Sequence, residues 1–324
     1  MLKKFLLLTF LALLLAIGGA LGYLSLRQPA VQPPRQGSVP MTEDRVARGK
    51  YLFENLYHCS SCHSERDFSR FGGPTVESGR GAGWVMPPEL GLPGRIVASN
   101  LTPDPETGLG SWTDGEKIRA IRDGISRDGR VLFPMMPYEF YREMADEEAE
   151  AIVAYLNSLP PVRRRHPATK IAFVPALLIK SVPRPAGTVA MPDTGDRVRY
   201  GEYLAKMSGC IECHTPFVRG ELLLEQKLAG GRRFDLPAGS VVSANITPDP
   251  STGIGGWTEE QFIEKFYQYR DYVENGPPAV DAQGFTIMPW LNLSQASREE
   301  LGAMYAYLMT QPAIRNPVET HPAQ

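Results

Sequence analysis

The chain has 324 residues, a length that suits two domains of about 150 residues each. Its 34 Lys and Arg nearly balance its 36 Asp and Glu, so it lacks the positive surplus that nucleic-acid binding requires. With 43% hydrophobic and 22% charged residues, the bulk of the chain is globular rather than disordered. Four Cys are too few for a disulfide scaffold, so any role they have lies in their spacing.

Residues 1–27 predict a membrane anchor or an export signal. After Lys3 and Lys4, residues 5–26 carry no charge, and as a helix they are long enough to cross the hydrocarbon core. The lysine pair favours a cytoplasmic N-terminus with the remainder of the chain translocated. A cleavable signal peptide is the alternative, but the length of the apolar run favours a retained transmembrane helix. Residues 28–40 contain four Pro and predict an extended tether.

The rest of the chain is an internal sequence duplication. Residues 100–113 read NLTPDPETGLGSWT, and residues 245–258 read NITPDPSTGIGGWT. Two Cys-x-x-Cys-His motifs and two Met-Pro pairs recur at a similar spacing of about 150 residues, which indicates a duplicated domain rather than a solenoid. We therefore predict a first domain at 41–160, a linker at 161–194 and a second domain at 195–315.

Both copies predict the same helices. A first helix leads to each Cys pair, at 42–57 and at 195–208, and a last helix ends before Pro160 or Pro312. A middle helix begins at a capping box, Thr-Asp-Gly-Glu in one copy and Thr-Glu-Glu-Gln in the other. No convincing run of alternating strand residues occurs. The prediction is an all-α fold, with two tandem helical domains after the N-terminal transmembrane helix.

The linker has two interpretations. It begins with a basic run at 163–166 and continues through an apolar stretch at 171–179. It is either a strap that packs across the two domains or a contact with a partner subunit or a membrane surface, since exposed apolar patches usually have a use.

Cys-x-x-Cys-His is the motif that attaches c-type haem. Two thiols three positions apart reach the two vinyl groups of one porphyrin, and the adjacent His lies beneath the iron as the proximal ligand. The two copies predict two covalently bound haem c groups. Their thioether anchors are Cys59, Cys62, Cys210 and Cys213, and their proximal ligands are His63 and His214.

Other uses of the cysteines fit this pattern less well. Two local disulfides would leave both histidines unexplained. A zinc site would usually bring the two Cys pairs within about 15–20 residues of each other, and a thioredoxin-like redox motif would have strands beside it.

The sixth iron ligand decides the function, because an iron with two protein ligands transfers electrons whereas an open iron binds small molecules. Met136 and Met288, each followed by Pro, lie at matching distances from the two signatures, so we predict that they are the distal ligands. A buried core Met is the ordinary alternative. The neighbouring Met135 falls out of register, and Met86 has no counterpart in the second copy.

The remaining histidines are weaker candidates for iron ligation. His58 stands beside the first Cys and has no counterpart in the second copy, which indicates a surface position. His166 and His321 fall in the linker and the tail, where we expect them to be solvated.

The duplicated Asn-x-Thr-Pro-Asp-Pro segment has two interpretations. As a rigid turn, its Pro sets φ, its Asp caps its own backbone and its Gly adopts positive φ. As a haem edge, an amide or indole N–H donates to a propionate. The candidates for that role are Asn100, Trp112, Asn245 and Trp257.

With these motifs, the chain resembles the c-type cytochrome subunits of bacterial membrane-bound dehydrogenases of the alcohol and gluconate dehydrogenase type. The likeness covers roughly 41–315, and those subunits often carry three haem signatures where this chain has two. The resemblance implies tandem cytochrome c domains. It also implies that a flavin, quinone-cofactor or molybdenum dehydrogenase donates electrons, which pass towards a quinone, a cytochrome or an oxidase.

The expected function is electron transfer by a dihaem cytochrome c, anchored in the inner membrane with its haem domains in the periplasm. Such a protein has no catalytic residues of its own and works as a partner of a membrane-associated dehydrogenase. Two alternatives are a dihaem cytochrome c peroxidase and a dihaem subunit of a terminal oxidase. A matched Met in both copies argues against the peroxidase, which needs one iron that opens for peroxide.

Overall fold

The computed structural model describes residues 1–322 and is mainly helical. Long loops rich in Gly and Pro join the helices, and a π-helical turn at Leu52–Leu56 extends the second one. In chain order the helices are α1 Leu2–Leu26, α2 Glu43–Tyr51, α3 Ser60–His63, α4 Asp114–Asp123, α5 Tyr138–Tyr141, α6 Asp146–Ser158, α7 Phe173–Leu178, α8 Arg197–Met207, α9 Cys210–His214, α10 Glu259–Tyr267, α11 Arg270–Asn275, α12 Trp290–Leu293 and α13 Arg298–Leu308.

The all-α prediction is wrong in one respect, because short strands occur in the loops. They pair into two-stranded antiparallel sheets. At two to four residues each, they are too short to produce an alternating sequence pattern. The pairs are β1 Trp84–Val85 with β3 Val97–Ala98, β2 Gly94–Arg95 with β4 Lys170–Ile171, β5 Phe217–Val218 with β6 Glu221–Leu222, and β7 Arg233–Leu236 with β8 Gly239–Val242.

Helix α1 stands apart from the packed part of the chain. Its most apolar window has a mean hydropathy of 2.4, and none of that window is buried. Its length and composition suit a membrane span, and a signal sequence near an N-terminus has the same properties. The following residues 28–40 form no helix or strand, yet they lie along the N-terminal half. Gln32 donates to Asp123, and the Val39 amide donates to Asp114.

In both halves the first helix crosses the last one at a glycine. Helix α2 packs on α6 in the N-terminal half (residues 41–160), and α8 packs on α13 in the C-terminal half (residues 195–315). A Cβ added at Gly49 would lie 1.8 Å from the Ala151 carbonyl oxygen, and one added at Gly201 would lie 1.8 Å from that of Ala303. The backbones therefore approach too closely for any other residue at these two positions.

Both middle helices begin where the capping boxes predict. The Thr113 hydroxyl accepts from the Glu116 amide at 3.2 Å, and the Glu116 carboxylate accepts from the Thr113 amide at 2.8 Å. Thr258 and Gln261 form the same reciprocal pair at 3.2 and 2.8 Å. These bonds satisfy amides that have no partner inside the helix, so α4 and α10 start at equivalent points.

The linker is pinned to the N-terminal half along part of its length. Strand β4 pairs with β2, and the Ala172 amide donates to the Pro93 carbonyl at 2.8 Å. Helix α7 then leaves Phe173, Val174 and Leu178 more than half exposed. Next to it, the Lys180 ammonium donates to the Ser25 carbonyl at the end of α1 at 2.8 Å. The strap interpretation fits β4, whereas the exposed face of α7 lies beside the apolar N-terminal helix.

Hydrogen bonds to two buried carboxylates join the two halves. The Tyr51 hydroxyl donates to Glu300 of the C-terminal half, and the Tyr203 hydroxyl donates back to Glu148 of the N-terminal half. Arg48 forms ion pairs with both carboxylates, which are only 2% and 6% exposed. Since buried charges are tolerated when they are paired and hydrogen-bonded, this reciprocal contact holds the halves in one arrangement.

Candidate haem-binding sites

Each Cys-x-x-Cys-His motif folds as a single short helix. Helix α3 follows Cys59, whose carbonyl accepts from the His63 amide at 3.0 Å, and α9 contains the whole second motif. The helical turn places residues three apart on the same side, as attachment to one porphyrin requires. All four thiols are free, so the structure lacks the local disulfides of the alternative interpretation. Burial raises the pKa of Cys59 and Cys210 to about 12.

The two signature histidines use the same ring nitrogen in a hydrogen bond to the backbone. The His63 Nδ1–H donates to the Ser99 carbonyl at 2.9 Å, and the His214 Nδ1–H donates to the Ala244 carbonyl at 2.8 Å. A carbonyl only accepts, so Nδ1 carries the proton and Nε2 keeps its lone pair. Burial lowers the pKa of both imidazoles and favours this neutral form. Metal-bound histidines are held in this way by a hydrogen bond from the other ring nitrogen.

The other three histidines have the opposite arrangement. In each of them Nε2 lies against a backbone carbonyl, so this nitrogen acts as a donor. The expectation of a solvated surface position is wrong for His58 and His166, which are half-buried. The contacts are His58 to Ser208 at 3.1 Å, His166 to Ala82 at 2.8 Å and His321 to Phe285 at 3.0 Å.

The two Met-Pro pairs have the same backbone geometry. Pro137 has φ −80° and ψ 50°, and Pro289 has φ −75° and ψ 54°. The Met136 carbonyl accepts from the amide two residues on at 2.8 Å, and the Met288 carbonyl does so at 2.7 Å. A short helix, α5 or α12, then begins at the next residue. The duplication therefore extends from the sequence to the local fold around both candidate ligands.

The packing of the methionines separates the candidates from their neighbours. Met136 and Met288 are half-buried and pack against the main core, as do Cys59 and Cys210. Met135 instead packs against a small separate cluster that contains Met86, Ile96 and Ala98. Ligation by Met136 and Met288 thus stays our prediction, and the structure gives Met135 and Met86 packing roles of their own.

The duplicated Asn occupies the centre of a rigid turn. Asn100 is 3% exposed and donates both amide hydrogens, to Thr107 Oγ1 at 3.1 Å and to the Val162 carbonyl at 2.8 Å. Its Oδ1 accepts from the Thr102 amide at 3.0 Å. The equivalent bonds of Asn245 go to Thr252 at 3.0 Å, Ile314 at 2.7 Å and Thr247 at 2.9 Å. The turn uses both amide hydrogens of each Asn, which leaves neither for a propionate.

The aspartates of the same segment act within the turn. Asp104 Oδ1 accepts from the Thr107 amide at 2.6 Å and from its hydroxyl at 2.7 Å, and Asp249 makes the equivalent bonds to Thr252 at 2.7 Å each. These side-chain bonds lower the pKa of both carboxyls, so they stay ionised as acceptors. The turn interpretation is confirmed for the aspartates.

The expected positive φ at the glycine of this segment is wrong, because Gly108 and Gly253 lie outside that region. Glycine is needed there for space, because an added Cβ would lie 2.1 or 2.2 Å from the Thr102 or Thr247 carbonyl oxygen.

Two candidates for the haem edge retain a free donor. Trp112 is half-buried against the main core, and Trp257 is 36% exposed. Within residues 1–322, neither indole N–H donates a hydrogen bond to another protein group. A bond from these tryptophans to a propionate therefore stays a prediction.

We expect replacement of Asn245 by Ala to lower the free energy of unfolding by about 2 kcal/mol, because buried turn groups lose their partners. Asn245→Asp keeps the acceptor but loses the donors, so it should have an intermediate effect. Chemical unfolding of the haem-loaded protein measures both. An Asn245→Ala protein of unchanged stability but altered haem potential would contradict the turn role and favour the haem edge.

The sequence did not predict the groups that orient the two signature histidines. The accepting carbonyls belong to Ser99 and Ala244, each directly before the duplicated Asn. Gly83 and Gly230 donate their amides to the carbonyls of His63 and His214 at 2.9 and 2.7 Å. The sequence does not show which backbone groups form these bonds, because every residue has the same carbonyl. The available clue was the duplicated segment itself, since residues next to it should have the same geometry in both halves.

The two signatures lie close to each other across the contact between the halves. Tyr141, on α5, is 8% exposed. Burial raises its pKa, and the charges of Cys59 and Cys62 of one signature and of Glu212 and Cys213 of the other raise it further. The contact that joins the two signature regions is the bond from His58 Nε2 to the Ser208 carbonyl at 3.1 Å, since these residues stand just before the two Cys pairs.

The donor set fits haem c and does not fit a metal held by side chains alone. Within the described part of the chain, no three His, Cys, Asp or Glu side chains converge on a point that could hold an ion. Each signature instead offers two thiols and one neutral imidazole with a free Nε2. These are the groups that attach haem c, and Met136 and Met288 stay the predicted source of the second axial ligand.

Comparisons with known proteins find cytochromes c and cytochrome subunits of dehydrogenases. The cytochrome c family model matches residues 46–160. The chain is 30% identical to a diheme cytochrome c-type protein of Cereibacter sphaeroides over 310 residues, which is 93% of this chain and 96% of the relative. It is 26% identical to the cytochrome c subunit of a quinone alcohol dehydrogenase of Gluconobacter oxydans, over 84% of this chain. It is 29% identical to a fructose dehydrogenase cytochrome subunit of Gluconobacter japonicus, over 88% of this chain.

The chain belongs to the cytochrome c family. Its cytochrome c domain indicates covalently bound haem c. The chain spans little more than half, 56%, of the length of the alcohol and fructose dehydrogenase subunits that it matches.

Proposed function

We propose that this chain is a dihaem cytochrome c that passes single electrons from a membrane-associated dehydrogenase to a quinone, cytochrome or oxidase acceptor. In this proposal, residues 41–160 and 195–315 are tandem cytochrome c domains, and each binds one haem. The matched helix crossings at Gly49 and Gly201 and the matched turns at Asn100 and Asn245 support it.

The observation that carries the proposal is the orientation of two imidazoles. Both signature histidines donate Nδ1–H to the carbonyl of the residue before the duplicated Asn, at 2.9 and 2.8 Å. This bond fixes the tautomer and leaves Nε2 as the ligand atom in both halves. The same arrangement in both halves supports two haems rather than one.

When bound, haem supplies a one-electron couple between ferrous and ferric iron. Cys59, Cys62, Cys210 and Cys213 would hold the porphyrins through thioether bonds, and His63 and His214 would bind the irons on the proximal side. Met136 and Met288 would occupy the distal positions, which excludes small ligands and raises the reduction potential. The apolar packing around each site keeps water away and tunes the potential further.

The proposed donor follows from the relatives. Three of them are named as cytochrome subunits of alcohol, fructose and gluconate dehydrogenases. A dehydrogenase partner is therefore the proposed source of electrons for this chain. The acceptor of our proposal rests on the expected place of such a carrier between a dehydrogenase and the respiratory chain.

The proposed location is the periplasmic face of the inner membrane. Helix α1 has the length and the hydropathy of a membrane span, and Lys3 and Lys4 precede it on the side expected to stay in the cytoplasm. The exposed apolar face of α7 lies beside its C-terminal end, where contact with the same bilayer would cover it. Intact mass of the protein extracted from membranes tests retention of residues 1–27. A mass without them would identify a cleaved signal instead.

Carbon monoxide separates an electron carrier from an enzyme with an open iron. If Met136 and Met288 ligate both irons, we expect the reduced protein to bind carbon monoxide slowly or not at all, and to be oxidised by peroxide slowly or not at all. Absorption spectra of the reduced protein measure both properties, because reduced and oxidised haem absorb differently. Rapid binding at either haem would contradict the carrier proposal.

A further inference from the structure

The residue before the first Cys of each signature has a left-handed backbone. In the C-terminal half this residue is Gly209, with φ +73°, and glycine adopts this conformation freely. In the N-terminal half it is His58, with φ +39°. A side chain with a Cβ is strained in this region, so the first half keeps a costly residue where the second half uses glycine.

The His58 side chain makes a contact that glycine could not make. Its Nε2–H donates to the Ser208 carbonyl of the other half at 3.1 Å, and the ring is half-buried. Ser208 follows α8, where carbonyls lack partners within the helix and attract donors. The bond therefore joins the residue next to Cys59 to the residue just before Gly209.

This contact lies at the place where the two signatures approach each other. His58 directly precedes Cys59, and its bond partner Ser208 lies two residues before Cys210. The larger buried contact between the halves, Tyr51 with Glu300 and its counterpart, involves the first and last helices instead. The His58 bond is the link that acts directly on the two haem-bearing segments.

We propose that His58 is a positioning residue for electron exchange between the two haems. It ties the first signature to the backbone that leads into the second and so fixes the separation and orientation of the thioether-bearing edges. This inference rests on the proposed dihaem function. It explains why a strained histidine occupies a position where the duplicated copy has glycine.

The position offers a variant that separates this role from general stability. His58→Gly copies the second half, so it relieves the backbone strain while it removes one neutral hydrogen bond. These two effects oppose each other and are similar in size. The variant should therefore unfold close to wild type. His58→Gln keeps a side-chain donor in the same place. His166→Gln is a matched control, because His166 lies in the linker and bonds the Ala82 carbonyl of the N-terminal half rather than a group across the two halves.

The experiment uses the full-length, haem-loaded protein. One haem is reduced selectively by a light pulse, and the re-equilibration between the two haems is followed by absorption spectroscopy, together with the separation of the two midpoint potentials. In His58→Gly we expect both haems attached and low-spin, but a several-fold slower exchange and a changed separation of the potentials. His58→Gln should restore most of the exchange rate, and His166→Gln should leave it unchanged.

Wild-type exchange in His58→Gly with two low-spin haems would overturn the inference. Slow exchange that His58→Gln fails to restore would overturn it as well, because the hydrogen bond would not be the cause. A wild-type protein with a single haem, or with an open iron, would instead contradict the proposed function. With a single haem there would be no electron exchange for His58 to influence.

Discussion

In the proposed dihaem protein, replacing Met288 by Ala should convert one of the two irons from a six-coordinate, low-spin centre to an open one. The loss of a thioether ligand also removes its stabilisation of ferrous iron, so the potential of that haem should fall by on the order of 0.1 V or more. Met136→Ala should do the same to the other haem. Electron paramagnetic resonance measures the spin state, and a redox titration followed by absorption measures the potential.

Met135→Ala is the matched control for this prediction. Met135 is the next residue to Met136, but it packs in the small cluster with Met86 rather than against the core that contacts the cysteines. We expect two low-spin irons and unchanged potentials in this variant. An unchanged spectrum in Met288→Ala, or a high-spin iron in Met135→Ala, would show that the distal ligands are assigned incorrectly.

Gly201→Ala should lower the free energy of unfolding by about 3 kcal/mol, because the methyl group has no space. The added carbon would lie 1.8 Å from the Ala303 carbonyl oxygen, so α8 and α13 would have to separate. Gly49→Ala should have a similar effect on α2 and α6. Denaturant unfolding followed by absorption and circular dichroism measures the loss.

Gly187→Ala provides the control for the glycine variants. A Cβ at this linker position meets no atom within 4 Å, and the backbone there does not require glycine. We expect its stability to stay within experimental error of wild type or to rise slightly. If Gly201→Ala were as stable as Gly187→Ala, the close crossing of the first and last helices would be refuted in the C-terminal half.

The sequence predicted those parts of the molecule in which a short local pattern determines the local structure. Thr113 and Thr258 predicted the starts of two helices, because a hydroxyl followed by Glu or Gln satisfies free amides. The apolar run predicted α1 in the same way. Duplication added to these signals, because a pattern that occurs twice is less easily produced by chance.

The parts that the sequence did not predict depend on contacts between distant segments. The short strands lie in loops, and at two to four residues each they are too short to show an alternating hydrophobic pattern. The bond from His58 to Ser208 joins two halves, and nothing in either segment specifies it. The acceptors for the proximal histidines are backbone carbonyls, which every residue has, so only the fold identifies which carbonyl is used.

Mass spectrometry of the purified protein under denaturing conditions tests the central claim most directly. Thioether bonds survive unfolding, so the account predicts a chain that keeps the mass of two haems, with one haem on a peptide containing Cys59 and Cys62 and one on a peptide containing Cys210 and Cys213. A protein that holds one haem, or that loses its colour when it unfolds, would contradict the account.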